Sequence, residues 1–172
     1  MTGFLKFIGV LNVAVWLGAA IFFTFVVGPA FFSPAMKEIL PLSHSGAVAQ
    51  IVIERYLILQ IVCSAIALVH FFAERLYTGR VFERVTFGIL LVILVLSLAG
   101  SIWLEPKMKQ LHLTKYGTGS TPSQKEEATK SFRAWHGVSQ TANLLMLGGI
   151  FYYFCRVSFR RGDARKISVG WR

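Results

Sequence analysis

His136, Ser139, Gln140 and Asn143 recur at helical spacing within the stretch Trp135–Asn143, a polar face on a segment otherwise apolar enough to sit in lipid. An imidazole, a hydroxyl and two carboxamides supply hydrogen-bond donors and acceptors, a proton acceptor and a metal ligand. Polar groups in hydrocarbon turn toward protein, water or a ligand, which leaves two readings open. In one, the face lines a polar cavity for a small solute or metal ion, together with Gln60, Glu54 and Arg55 of an earlier helix. In the other, the same side chains hydrogen-bond helix to helix. Counting residues puts Gln60 about 15 Å and Asn143 about 12 Å below the same surface, so the two are expected within reach of each other.

Other chemistry is less well provided for. His44, His112 and His136 fall on one side of the membrane with Glu54 and Glu105 near in depth, and are the candidate metal ligands, but none stands at a tight spacing such as His-x-x-x-His. Haem held by two histidines needs facing rings at matched depth, and His70, near the opposite end of its helix, has none across from it. No cofactor, haem or metal, is therefore expected. A glycine-rich phosphate loop, a nucleophile elbow and paired intramembrane acids are missing from the sequence, so no enzyme activity is expected.

The elements that must position these residues follow from composition. The 172 residues are 55% hydrophobic, with a mean hydropathy of +0.59. Uncharged runs occupy Phe7–Met36, Tyr56–Ala73, Val85–Leu104 and Ala134–Cys155, against the roughly 20 residues needed to cross a bilayer. The expectation is an all-α integral membrane four-helix bundle in one domain, with spans at about 4–27, 50–76, 82–104 and 134–157 and a basic tail at 158–172. The first run stays apolar past Gly18, Ala19 and Ala20, and reads as a retained helix, not a signal peptide.

The net charge of +10 does not point to nucleic acid, because the basic residues sit in loops and tails beside the spans. Four crossings place the N-terminus, the second loop and the tail on one side, with ten of the Lys and Arg residues. That excess predicts both termini in the cytoplasm, with the basic tail drawn to anionic lipid. Cys63 and Cys155 differ in depth by roughly 10 Å, too far for a disulfide.

Between the spans, Gly28 and Pro29 are expected to end or bend the first helix. Ser33 and Pro34 then start a short interfacial helix with Phe31, Phe32, Met36, Ile39 and Leu40 on one face. The second helix is expected from near Ala47. Beyond Pro106, Met108, Leu111 and His112 form one face of a helical extramembrane extension, with Lys107 and Lys109 solvated. Thr121, Pro122 and Gln124 read as cap, first-turn proline and capping-box partner of a fourth helix that reaches Val157. Its length of roughly 54 Å exceeds the hydrocarbon core, so its first turns stand outside. In the first helix Asn12, Ala14, Trp16 and Gly18 are packing candidates. Ala14 and Gly18 form a small-xxx-small pair that admits a neighbouring helix, within the bundle or in a homo-oligomer.

Two segments carry a resemblance. Trp16–Ala19, Phe22–Phe23 and Val26–Phe32, together with Phe132–Ser139 and Asn143, resemble the family catalogued as domain of unknown function 4149, small four-helix membrane proteins similar to transmembrane protein 205. The resemblance implies four spans and a bacterial inner membrane, marks Trp16, Gly18, Pro29, His136, Ser139 and Asn143 as family-pattern positions, and brings no established reaction. Haem-linked four-helix membrane oxidases also open with a Trp-x-Gly-like turn, preceded by a histidine. Gly9, Val10 and Asn12 stand there instead, which argues against haem. The function expected is that of a small non-enzymatic membrane protein, an oligomer or an accessory subunit of a larger complex.

Overall fold

The computed structural model describes residues 2–79 and 81–159; the basic tail beyond Phe159 and Arg80 lie outside the described residues. Helix α1 runs Thr2–Phe22, widens into a π turn at Phe23–Val27 and closes with one more α turn, Gly28–Ala30. The short α2 is Pro34–Ile39, and α3 runs Leu42–Thr78. Helix α4 runs Arg84–Ala99, passes through a second π turn at Gly100–Leu104 and continues as Glu105–Tyr116. Helix α5 is Pro122–Phe159. Four of these, α1, α3, α4 and α5, are long and apolar enough to cross a membrane.

In each long helix one series of buried positions steps alternately by three and four. They are Gly9, Val13, Trp16 and Ala20 in α1; Tyr56, Gln60, Cys63, Ala67 and His70 in α3; Thr86, Leu90, Ile93 and Ser97 in α4; Met146, Ile150, Tyr153 and Val157 in α5. A seven-residue repeat of this kind keeps one seam facing the partner helices only if they wrap with a left-handed supercoil, the packing of four-helix bundles. The apolar part of the core is built from these seams, whereas most large apolar side chains elsewhere on the helices, such as Phe7, Leu11, Phe25, Val69 and Val92, are exposed and face the lipid.

Local signals in the sequence account for most of the helix ends. The Ser33 hydroxyl accepts the Met36 amide and caps α2. Thr121 and Gln124 exchange the two hydrogen bonds of a capping box at the start of α5. Gly79 closes α3 in the left-handed conformation at φ 63°.

Two expectations change. Helix α3 begins at Leu42, a turn and a half before Ala47, because Pro41 is a natural first-turn boundary and the following segment has no breaker stronger than Gly46. Pro29 does not stop α1 at once: a π turn finishes two residues before the proline, and the helix closes one residue after it, at Ala30. Helix α4 continues past Pro106, as expected, and there too a π turn finishes two residues before the proline. A proline ring collides with the carbonyl four residues back and offers it no N–H. Widening the preceding turn moves that carbonyl away, so the chain stays helical.

At 33 to 38 residues, α4 and α5 are about 50 to 57 Å long. The hydrocarbon core takes about 30 Å. Glu105–Tyr116 and the first turns of α5 therefore stand beyond it as a helical hairpin. This end of the bundle is termed the hairpin face, and the opposite end, where α1 starts and α5 finishes, the terminal face.

Candidate functional site

Toward the hairpin half of the bundle, α1, α3 and α5 share a continuous chain of hydrogen bonds, buried at Trp16, Gln60 and Tyr56 and half-buried at Asn143 and Thr24. The Trp16 indole N–H donates to the Gln60 carbonyl oxygen, and the Gln60 amide donates to the Tyr56 hydroxyl. The Tyr56 hydroxyl in turn donates to Asn143 Oδ1 at 2.9 Å, and Asn143 Nδ2 donates to Thr24 Oγ1 at 2.8 Å. Every step runs in the same sense, so the bonds polarise one another and each carboxamide both gives and receives. The first π turn helps to place the partners: Thr24 lies within it, and its first residue, Phe23, stacks on Tyr56 with ring centroids 3.9 Å apart. The second π turn lies against the neighbouring residue of α3, where a Cβ on Gly100 would come 3.0 Å from Leu57 Cδ2. One turn beyond Trp16, the Asn12 amide donates to the Cys63 carbonyl at 3.0 Å.

Gln60 and Asn143 are thus joined through Tyr56, a residue that nothing in the sequence sets apart from its apolar neighbours. The other members of the stripe go elsewhere. Ser139 is half-buried, and His136 lies parallel to Phe132 with centroids 6.0 Å apart. Gln140 is exposed on the outside of the bundle and does not line it, and Arg55 is likewise exposed beside a half-buried Glu54. The seam of α5 explains the difference: it steps from 136 to 139 to 143, and Gln140 lies about 100° around the helix from Ser139. Ala14 and Gly18 also face outward, with open space where a Cβ on Gly18 would lie, so this pair does not pack inside the bundle.

The hairpin is held by aromatic and cationic contacts. Lys107, expected to be solvated, places its ammonium 4.3 Å from the Trp135 ring centroid and 5.3 Å from that of Trp103, and the two indoles meet edge to face. Lys115 repeats the arrangement over Tyr116 and Phe132. Between them His112 is buried against α3, where a Cβ on Gly46 would come 2.6 Å from its Nε2. This ring stands outside the hydrocarbon, and burial, with Lys115 adding to it, holds its pKa below the ordinary imidazole value despite the opposing Ser43 carbonyl. His44 is exposed on the first turn of α3, with Nδ1 3.5 Å from the Ser43 hydroxyl. Among the described residues no three His, Cys, Asp or Glu side chains are grouped to hold a metal ion.

A second polar cluster, at the terminal face, has no counterpart in the sequence reading. Arg156 of α5, with a side chain 10% exposed, reaches Glu83 Oε2 at 2.6 Å and Glu74 Oε2 at 3.3 Å, and lies over the Phe71 ring. The same Glu83 oxygen accepts the Thr86 hydroxyl at 3.0 Å. Just inside this clamp, His70 and Tyr153 meet at 3.2 Å. A signal was present: Tyr56, Gln60, Cys63, His70 and Glu74 of α3 keep the same three-and-four spacing as the stripe on α5. In the sequence Arg156 counts only toward the basic excess of its side.

Four apolar helices and a seven-residue seam define a multi-pass helical membrane protein. The chain matches the family described as a domain of unknown function (DUF4149) over residues 11–116, and it belongs to that family. The matched region contains Trp16, Gly18 and Pro29, whereas the His136 segment lies beyond it. No curated protein and no solved structure matches the chain, so the likeness to transmembrane protein 205 gains no support from them.

Proposed function

We propose that this is a small, non-enzymatic protein of a bacterial inner membrane, with both termini in the cytoplasm, working as a homo-oligomer or as an accessory subunit of a larger membrane assembly. The observation that carries the reading is the closure of the polar chain from Trp16 to Thr24. Its carboxamides and hydroxyls are spent on one another, and Gln140 and Arg55, the side chains that would widen it into a solute cavity, face away. Haem finds equally little support, since both ring nitrogens of His70 are engaged by protein groups. What remains for interaction is the outer surface. There Ala14 and Gly18 offer α1 the small-residue face along which a further membrane helix approaches closely.

Crosslinking in native membranes tests this. In a chain with Cys63 and Cys155 replaced by Ala, a cysteine at Ala14 or Gly18 is expected to form a disulfide-linked dimer, or to link to one co-purifying protein at fixed ratio. A cysteine at the buried Val13 is expected to do neither. A chain that stays monomeric and without a stoichiometric companion in native membranes overturns the reading.

A further inference from the structure

We propose that His70 and Tyr153 form an intramembrane proton-binding site near the terminal face, able to hold either charge state of the imidazole without rearranging the bundle. The site is independent of the assembly just proposed. His70 Nε2 lies 2.9 Å from the Leu5 carbonyl oxygen of α1. A carbonyl only accepts, so this nitrogen carries the proton, and in the neutral ring Nδ1 is left with its lone pair. Nδ1 lies 3.2 Å from the Tyr153 hydroxyl, which must then be the donor. The neutral state is thus fully bonded: N–H to Leu5, and O–H to His70.

The same heavy atoms satisfy the charged state. The Tyr153 hydroxyl has a second acceptor, the Ala67 carbonyl, at 3.5 Å. When a proton binds Nδ1, the direction of one bond reverses: Nδ1–H donates to the tyrosine oxygen, and the hydroxyl hydrogen rotates to Ala67. No bond is broken within the ring, and each donor keeps an acceptor. Packing is arranged around this contact. Gly9 of α1 leaves the space that the imidazole fills, and a Cβ there would lie 2.4 Å from Nε2. His70 itself is 6% exposed.

Charged and titratable groups surround the site on each side. On α3, Glu74 lies one turn nearer the terminal face and supplies the counter-charge for an imidazolium. On α5, Arg156 opposes it, but is itself held by Glu74 and by Glu83, which precedes α4. Lys6 of α1 is exposed beside Leu5. Both carboxylates bind the Arg156 guanidinium, which holds Glu74 one turn along α3 from the imidazole. Proton access from the terminal face follows from Glu74, whose side chain is 18% exposed.

Nitrogen-15 NMR of histidine-labelled protein in lipid nanodiscs, from pH 5 to 9, tests the proposal. The His70 signals are those that persist in the His44→Gln, His112→Gln and His136→Gln variants. At high pH the expected neutral tautomer carries its proton on Nε2, and as pH falls both nitrogens become protonated while the backbone amide spectrum stays the same. Tyr153→Phe removes the acceptor that the charged ring needs, so the ratio of doubly to singly protonated His70 at a fixed pH falls about fivefold, since hydrogen bonds to charged groups exceed neutral ones by about 1 kcal/mol. An Nδ1-protonated neutral ring, a ring that stays neutral throughout, or protonation that coincides with loss of the native amide spectrum overturns it. So does an unchanged ratio in Tyr153→Phe; should that variant not fold, the tautomer and titration of the native chain decide.

Discussion

A polar side chain inside a membrane protein is informative only once its partners are named, and here Asn143 and Gln140 make the contrast. Three residues apart on one helix, both look like members of one stripe. Asn143 gives and receives hydrogen bonds within the chain from Trp16 to Thr24, whereas Gln140 faces out. Asn143→Ala is expected to lower stability by about 1 kcal/mol, the range of interhelical hydrogen bonds in membranes, and Gln140→Ala to change it by less than about half of that. Because Tyr56 donates directly to Asn143, Tyr56→Phe combined with Asn143→Ala is expected to cost less than the two single changes added together. Unfolding in mixed detergent micelles measures all four. Strict additivity would mean that the bonds act separately and that the chain is not a unit. The sequence was enough to select Asn143 and Gln60 but not the hydroxyl between them. Tyrosine has an apolar body and a polar tip, and only the seam of α3 tells which end matters.

Elements were more legible where a local signal decides them and less so where two signals compete. The capping box at Thr121, the serine cap of α2 and the four apolar runs each act within a few residues, and each appears in the fold as expected. At Pro29, expected to end or bend α1 because proline removes a ladder hydrogen bond, the helix carries a π turn and closes one residue later, while α4 continues past Pro106 as expected, again after a π turn. A widened turn moves the obstructed carbonyl away from the proline ring, so a change two residues upstream offsets the propensity. The extramembrane hairpin has a different vulnerability. His112 is buried there with its pKa held below the ordinary imidazole value of about 6.5, so the unfolded hairpin takes up a proton before the folded one does. Its stability is therefore expected to fall as pH drops below about 6.5, and to level off once the folded ring is itself protonated. Hydrogen exchange of the Glu105–Tyr116 amides measures this local opening. The pH dependence is expected to diminish in His112→Gln, which lacks a titrating group at that position.

At the scale of the whole molecule the orientation rests on charge, because the fold is the same whichever face meets the cytoplasm. The two faces differ in how their charge is held. On the terminal face, Arg156 is committed to Glu74 and Glu83, and Arg75 lies over Phe82. The basic sequence of the tail adds to that side. On the hairpin face three of the lysines are drawn onto aromatic rings or paired along the helix: Lys107 on Trp135, Lys115 on Phe132, and Lys130 with Glu126 at 2.8 Å. The positive-inside bias counts Lys and Arg near the ends of spans, and the ten on the terminal side against eight on the other is a small excess. Glu38, Glu54, Glu105, Glu126 and Glu127 all lie toward the hairpin face and contribute little to that rule, so the basic count alone sets the expected orientation. Cysteines placed singly at Ser123, exposed on the hairpin, and at Tyr77, exposed at the end of α3, report it in a chain lacking Cys63 and Cys155. With a membrane-impermeant maleimide applied to intact spheroplasts, Ser123→Cys is expected to react and Tyr77→Cys to be protected until the membrane is opened. The reverse pattern would put the hairpin and its indole-bound lysine in the cytoplasm, and the proton site at His70 would then open to the outside.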